Sequence, residues 1–386
     1  ACYGHPDART PHIDELAARG TRFASCTSSC PLTLPSHTTL MTGTYPYVHG
    51  ARNNATFVVH EDNETLAEAL QRAGWATHAE VGTHVLDARF GLDQGFEGYH
   101  SGTSEDSSSD AEVLTRTASE VTDAALAWLA DRPQDGRPFF LFAHYYDPHR
   151  PFDAPEPYAS DFSNGYLAEI SYTDAEVGRL LAALRTPELE GRVLVALTSD
   201  HGEGLGEHGE SAHGYFLYDS TLRVPLIVAG PGLPGDQVVA AGVGLVDVTP
   251  TLLELADVGS AAAMQGTSLV PLLEDPERDL GVSTYAETVV PLALFGYAPL
   301  RAWRHAGWKY LHAPRPELYA TGQDPGEGDD RASELPDRAS AMRAELLDSI
   351  RRAPRLLGRG SASDLDSEET RRLMALGYLS ADGPVV

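Results

Sequence analysis

Lysine is almost missing from this chain: Lys309 is the only one in 386 residues, and the other basic side chains are arginines. That bias fits genome composition or a saline habitat and says nothing about mechanism. Positive charge as a whole is scarce, with 28 Lys and Arg against 56 Asp and Glu and a formal net charge of −28. A field of that sign repels nucleic acid and anionic membrane surfaces, which argues against nucleic-acid binding. Cysteine is limited to Cys2, Cys26 and Cys30, too few for a disulfide framework and without the C-x-x-C spacing of a structural zinc site. A Cys26–Cys30 bridge stays open. No stretch approaches the roughly 20 apolar residues of a membrane span, so the chain reads as water-soluble. No signal-peptide pattern opens it, and no repeat of solenoid or propeller period is found.

The hydrophobic share of 42% and charged share of 22% are those of a globular protein. Apolar periodicity predicts helices over Thr10–Ala18, Glu64–Ala73, Ala118–Ala130 and Gly165–Leu184. Strands are expected at Ala76–Val81, Phe139–Ala143 and Arg192–Leu197, the last running into Thr198-Ser199-Asp200-His201. This alternation is the rhythm of an α/β fold. Ser101–Asp110 has the composition of a surface loop. After Tyr285 the pattern shortens, and Leu300–Arg304 and Trp308–His312 read as a hairpin around His305-Ala306-Gly307. Ala339–Arg352 reads as a helix. The organisation expected is a core over 1–284, a small C-terminal subdomain over 285–352, and a polar tail or linker over 353–386.

Chemistry concentrates in Cys30-Pro31-Leu32-Thr33-Leu34-Pro35-Ser36-His37, followed by Thr42-Gly43 and by Tyr45-Pro46-Tyr47-Val48-His49-Gly50. The run resembles the signature of the sulfatase branch of the alkaline phosphatase superfamily. There a Cys or Ser, a variable residue, Pro, a small residue and a basic residue open a helix, and the first is oxidised to formylglycine. Starting at Cys30 puts Leu32 and Leu34 where Pro and the basic residue belong, whereas starting at Thr33 recovers Pro35, Ser36 and His37. Oxidised threonine would be a ketone, so no formylglycine is expected and a direct Thr33 alkoxide is the remaining nucleophile. A hydroxyl at a helix N-terminus beside a cation loses its proton more readily. The plainer alternative is that Thr33 is the helix N-cap.

The resemblance carries further residues. Thr198-Ser199-Asp200-His201-Gly202-Glu203 looks like the family's Asp-His metal-binding turn, implying Asp200 and His201 as ligands. Tyr146-Asp147-Pro148-His149-Arg150-Pro151 is similar to its Asp-Pro-His-x-Pro element, implying His149 as general acid and Asp147 as an orienting group or metal ligand. His213 is expected to contact a substrate oxygen, with His37 and Asn54 as substrate-binding residues. Gly307-Trp308-Lys309-Tyr310 resembles the hairpin of the family's smaller sheet, with Lys309 as a surface residue of structural duty. In the family a strand ending in one or two metal-binding aspartates precedes a Cys-Tyr-Gly element. Here Ala1-Cys2-Tyr3-Gly4 opens the sequence, and neither Asp7 nor Asp14 suits that role, so part of the metal site is expected to lie outside the chain.

The fold the resemblance implies is an alkaline phosphatase-like three-layer α/β sandwich with a large, mostly parallel sheet and a small C-terminal antiparallel subdomain. The function it implies is metal-dependent hydrolysis of phosphate or sulfate esters, with a divalent cation (Ca, Zn or Mn) as cofactor and a small-molecule, glycan or lipid ester as substrate. A phosphoethanolamine-type transferase and a catalytically silent binding or scaffold domain are the alternatives. A periplasmic, extracellular or membrane-anchored location rests on the resemblance alone.

Overall fold

A computed structural model describes residues 1–54, 56–102, 115–132 and 135–353. The chain forms two compact units: Ala1–Ala24 with Ala67–Leu197 and Leu226–Val239, and Ser25–Leu66 with Thr198–Pro225 and the chain from Ala240 onward. Eleven strands are found among the described residues: β1 Thr21–Thr27, β2 Ala76–Val81, β3 Gly98–His100, β4 Phe139–His144, β5 Val195–Thr198, β6 Arg223–Ala229, β7 Gln237–Gly244, β8 Thr284–Thr288, β9 Leu300–His305, β10 Trp308–His312 and β11 Glu317–Ala320. They make a sheet of order β5-β6-β1-β7, a sheet of order β3-β2-β4, and a third of order β11-β10-β9-β8. The expected α/β architecture with a small C-terminal antiparallel sheet is present. The parallel pairing expected of one large sheet is seen in β3-β2-β4, a sheet of its own.

In the first unit, β2 is buried along its whole length because it pairs in parallel with β3 on one side and β4 on the other. Two helices of this unit begin where their sequences say they must. Thr117 and Glu120 close a capping box ahead of helix Ala118–Asp131. The Asn164 side chain accepts from the N–H groups of Tyr166 and Leu167 at the head of helix Gly165–Ala183. Leu16, Ala17, Ile227 and Ala229 form a core cluster flanked by Ile13, Leu181, Val195 and Leu197.

In the second unit, helix Thr33–Thr42 is buried at every residue although most of it is polar. Its hydroxyls make that possible: Thr38 and Thr42 donate to the carbonyls of Leu34 and Thr38, and Thr39 accepts from Ser29, so little polar surface enters the interior unpaired. His49, fully buried beside Thr39 at 3.0 Å, is held neutral because burial drives its pKa down to about 3. The small sheet pairs antiparallel throughout, with His305 opposite Trp308 across a two-residue turn. Ala306 (φ 48°) and Gly307 (φ 77°) both sit in the left-handed region that a type I′ hairpin turn requires. The terminal helix runs Pro336–Arg352, starting three residues before the expected Ala339. Most of Ser101–Asp110 and of the 353–386 tail lies outside the described residues.

Lys309 is not a surface residue. Its side chain is fully buried, with Nζ 2.9 Å from Asp219 Oδ1 and 2.6 Å from Glu327 Oε1. Burial opposes ionisation of Asp219, but Lys309 and Arg304 outweigh it and hold that carboxyl well below the usual range. Cys2, Cys26 and Cys30 are all free thiols, so Cys26 and Cys30 are not bridged.

Candidate functional site

Thr33 is the first residue of its helix, and Leu32, in extended conformation, is the N-cap with no side-chain cap. The capping alternative for Thr33 is therefore overturned. Asn54 takes that duty from a distance, its Oδ1 accepting the Leu34 N–H at 2.8 Å. Because that contact needs an oxygen, it also fixes which way the amide lies. Asn54 is fully buried, and its Nδ2 has no hydrogen-bond partner among the described residues. Leaving such a donor unpaired costs on the order of 1–3 kcal/mol, and an anionic oxygen at the helix N-terminus would recover it.

Asp200 and His201 follow β5. Their loop is pinned by the Thr198 hydroxyl on the Pro225 carbonyl, the Ser199 hydroxyl on the His201 carbonyl, and the Ser36 hydroxyl on the Asp200 carbonyl. His201 Nδ1 donates to the Gly202 carbonyl at 2.8 Å, which turns the lone pair of neutral His201 to Nε2. That Nε2 lies 3.4 Å from Thr33 Oγ1 and 3.4 Å from Asp200 Oδ2. His37 Nδ1 donates to the Thr33 carbonyl at 2.8 Å and lies 3.4 Å from the same Asp200 oxygen. Any contribution of His37 to a substrate oxygen would come from its Nε2.

His213 packs its ring against His201, with centroids 4.3 Å apart, and its Nδ1 is 3.4 Å from both Glu203 carboxylate oxygens. Glu203 thus orients this imidazole. In the second unit, then, Thr33, His37, Asn54, Asp200, His201 and His213 come together, with Ser36 and Glu203 as supports that sequence reasoning left without a role.

Asp147 and His149 belong to the first unit. Asp147 Oδ2 accepts the Ala118 N–H at 2.7 Å, placing its charge at the N-terminus of helix Ala118–Asp131. His149 is fixed instead by Glu169, which accepts its backbone N–H at 2.9 Å, while its Nδ1 donates to the Arg150 carbonyl at 2.8 Å. Burial first, and then the Asp147 charge, push the Glu169 carboxyl up to about 7. Sequence reasoning missed Glu169; its signal was a carboxylate one helical turn before the buried Tyr172, on the same helix face.

The donor set suits a divalent cation. Two ligands of one ion at about 2.1 Å, at a tetrahedral angle, stand about 3.4 Å apart, the separation of His201 Nε2 from Asp200 Oδ2. An imidazole among the donors suits zinc or manganese better than calcium, which takes oxygen ligands.

Comparison with known proteins gives the family and the fold. The sulfatase family model matches residues 1–258. The uncharacterized sulfatase YidJ of Escherichia coli K12 is 24% identical over 418 residues, covering 90% of this chain and 83% of that protein. Among solved structures, Ps i-CgsB in complex with k-i-k-neocarrahexaose superposes with a TM-score of 0.77 at 20% identity, over 98% of this chain and 94% of the other. The phosphonate monoester hydrolase of Agrobacterium radiobacter does so with a TM-score of 0.75 at 21% identity, over 99% and 95%. These likenesses establish the shared fold, and the family match establishes the rest: the chain belongs to the sulfatase family of ester hydrolases.

Proposed function

We propose that this protein is a metal-assisted hydrolase of phosphate or phosphonate esters that uses Thr33 as its nucleophile. The observation that carries the reading is the Thr33 hydroxyl, relieved of capping and held 3.4 Å from His201 Nε2 at a helix N-terminus. Threonine supports attack on phosphorus more readily than sulfate-ester cleavage, because the aldehyde hydrate that family sulfatases use cannot form from it. A resemblance in fold to phosphonate monoester hydrolases is consistent with this choice.

A divalent cation bound by Asp200 and His201 would acidify the hydroxyl and offset charge at the transferring group. The chain's own residues do the remainder. Thr33 Oγ1 forms a bond to phosphorus as its proton passes to solvent, the bond from phosphorus to the organic oxygen breaks, and that oxygen takes a proton. His213, oriented by Glu203, is the first candidate to supply that proton or to bind a neighbouring oxygen; His149 is the second candidate acid. Asn54 Nδ2 donates to a non-bridging oxygen. Water then attacks the phosphorylated Thr33, releasing the acid and returning a proton to Oγ1.

The test is turnover of an aryl phosphonate monoester and an aryl phosphodiester, with covalent trapping. Wild type should lose activity to a chelator, recover it with zinc or manganese more than with calcium, and show a mass increment on the peptide bearing Thr33. Thr33→Ser should retain measurable turnover, and Thr33→Ala should fall by several orders of magnitude. Normal turnover in a folded, metal-loaded Thr33→Ala would end the proposal.

A further inference from the structure

Among the described residues, the large apolar side chains standing most exposed are Tyr297 at 67% and Phe295 at 55%. They are not scattered: the Phe295 ring lies 5.7 Å from that of Tyr297 and 6.1 Å from that of Tyr215. Lone exposed aromatics are ordinary, whereas a contiguous row of them marks a surface that something covers. The row is also held firmly. At the end of helix Val290–Phe295 the Gly296 N–H bonds the Leu292 carbonyl at 3.0 Å, and the Tyr297 N–H bonds the Pro291 carbonyl at 3.1 Å. Both rings therefore stand on a closed turn.

The row continues directly from the reaction centre. Tyr215 and Leu294 pack on the buried cluster of Cys30, Leu32 and Val290, and Leu32 is the residue before Thr33. Tyr215 lies two positions after His213. Between them Gly214, at φ 104°, fits so tightly that a Cβ there would stand 3.2 Å from Leu32 Cδ2 and 3.7 Å from Val290 Cγ2. The Thr288 hydroxyl fastens the same point by donating to the Gly214 carbonyl. One wall thus runs from Leu32 and Gly214 outward over Tyr215, Phe295 and Tyr297.

We infer that Tyr215, Phe295 and Tyr297 form the platform on which the organic group of the ester rests, and that this group carries a flat, uncharged ring, either an aryl group or the apolar face of a pyranose. The inference rests on the hydrolase reading of Thr33. Its chemistry follows from the row itself, which offers three aromatic faces and two hydroxyls and contributes no charge. The net charge of −28 works against a polyanionic substrate.

Phosphonic acids, which the proposed chemistry cannot cleave, make the probe. Calorimetric titrations of the zinc-loaded protein would compare phenylphosphonate, glucopyranosylmethylphosphonate and methylphosphonate. A ring-bearing probe should bind about tenfold more tightly than methylphosphonate, and the one that gains identifies the ring as aryl or pyranose. Phe295→Ala and Tyr297→Ala should each reduce that advantage about fivefold and leave methylphosphonate unchanged; Tyr297→Phe should keep the advantage. Equal binding of ring and methyl probes by wild type, or equal weakening of both in the variants, overturns the platform. A dimer at working concentration that Phe295→Ala dissociates does so too, since a second copy would then cover the row. Failure of every phosphonate to bind overturns platform and hydrolase reading together, whereas full turnover by Thr33→Ala removes the nucleophile and leaves the ring preference standing.

Discussion

Asn54 is bound through one end of its amide and unpaired at the other, and the two ends have separable consequences. Its oxygen satisfies the Leu34 N–H and so supports the helix that carries Thr33; its nitrogen has no partner among the described residues. Asn54→Asp keeps an acceptor for Leu34 but replaces the donor with a charge that repels an anionic ester. It should lose some stability, because the second carboxylate oxygen is buried without a donor, and lose about 10²–10³ in kcat, the cost of removing one preorganised oxyanion donor. Asn54→Ala should lose comparable activity and stability as well, since the Leu34 N–H is then stranded. Parallel urea melts and kinetics read this, and Asn54→Asp with undiminished kcat would remove Asn54 from the reaction. The same residue shows where sequence reading stops. Thr33 is legible as the matched position because Pro35, Ser36 and His37 follow at fixed spacing. That it is not the cap is illegible, because its substitute lies 21 residues downstream. Lys309 was misread for a similar reason: the carboxylates that neutralise it, Asp219 and Glu327, are distant in sequence, and a lone lysine on a strand gives no local sign of them.

Elements whose stability is local were readable close to their ends. Helix Gly165–Ala183 has its Asn164 cap and its apolar stripe in the sequence itself, and the β9–β10 hairpin shows two short runs around a glycine. The strand expected over Arg192–Leu197 begins only at Val195, because the Arg192 N–H is already used in a turn to the Leu189 carbonyl. Sheet partnership was not readable at all, since β1 pairs with β6 and β7 through contacts separated by some two hundred residues. The hairpin also carries a correctable flaw. A type I′ turn wants Asn or Gly at its first central position, and Ala306 pays the left-handed penalty there with φ 48°. Ala306→Asn should raise stability by roughly 0.5–1 kcal/mol, read as a higher urea midpoint with unchanged slope. A lower midpoint would show that the alanine methyl makes contacts worth more than the backbone strain.

Across the whole molecule, acidic excess and buried carboxylates combine to set a pH dependence. Asp247 is buried and accepts the N–H groups of Gly244 and Thr267; burial outweighs those bonds and lifts its carboxyl to about 6. A carboxyl raised above its unfolded value favours the folded state below that unfolded value and withdraws the advantage as pH rises through the folded one. Stability should therefore decline from about pH 4 to pH 6 on account of Asp247, and the growing negative charge of the chain adds to the decline. Glu80 acts in the opposite sense. Burial resists its ionisation, but hydrogen bonds from His78, Arg116 and His100 prevail and bring it down to about 2, so its contribution is present above about pH 4.5 and lost as pH falls toward 2. The two limbs place maximal stability at about pH 4, on the acidic side of neutrality. Thermal melts in chelator from pH 3 to pH 8 would measure this, and Asp247→Asn separates the causes: whatever it does to absolute stability, it should flatten the slope between pH 4 and 6 and leave the acid limb intact. An unchanged slope in that variant would show that the decline comes from overall charge repulsion, and that the Asp247 carboxylate is stabilised in its ionised form by its two backbone donors.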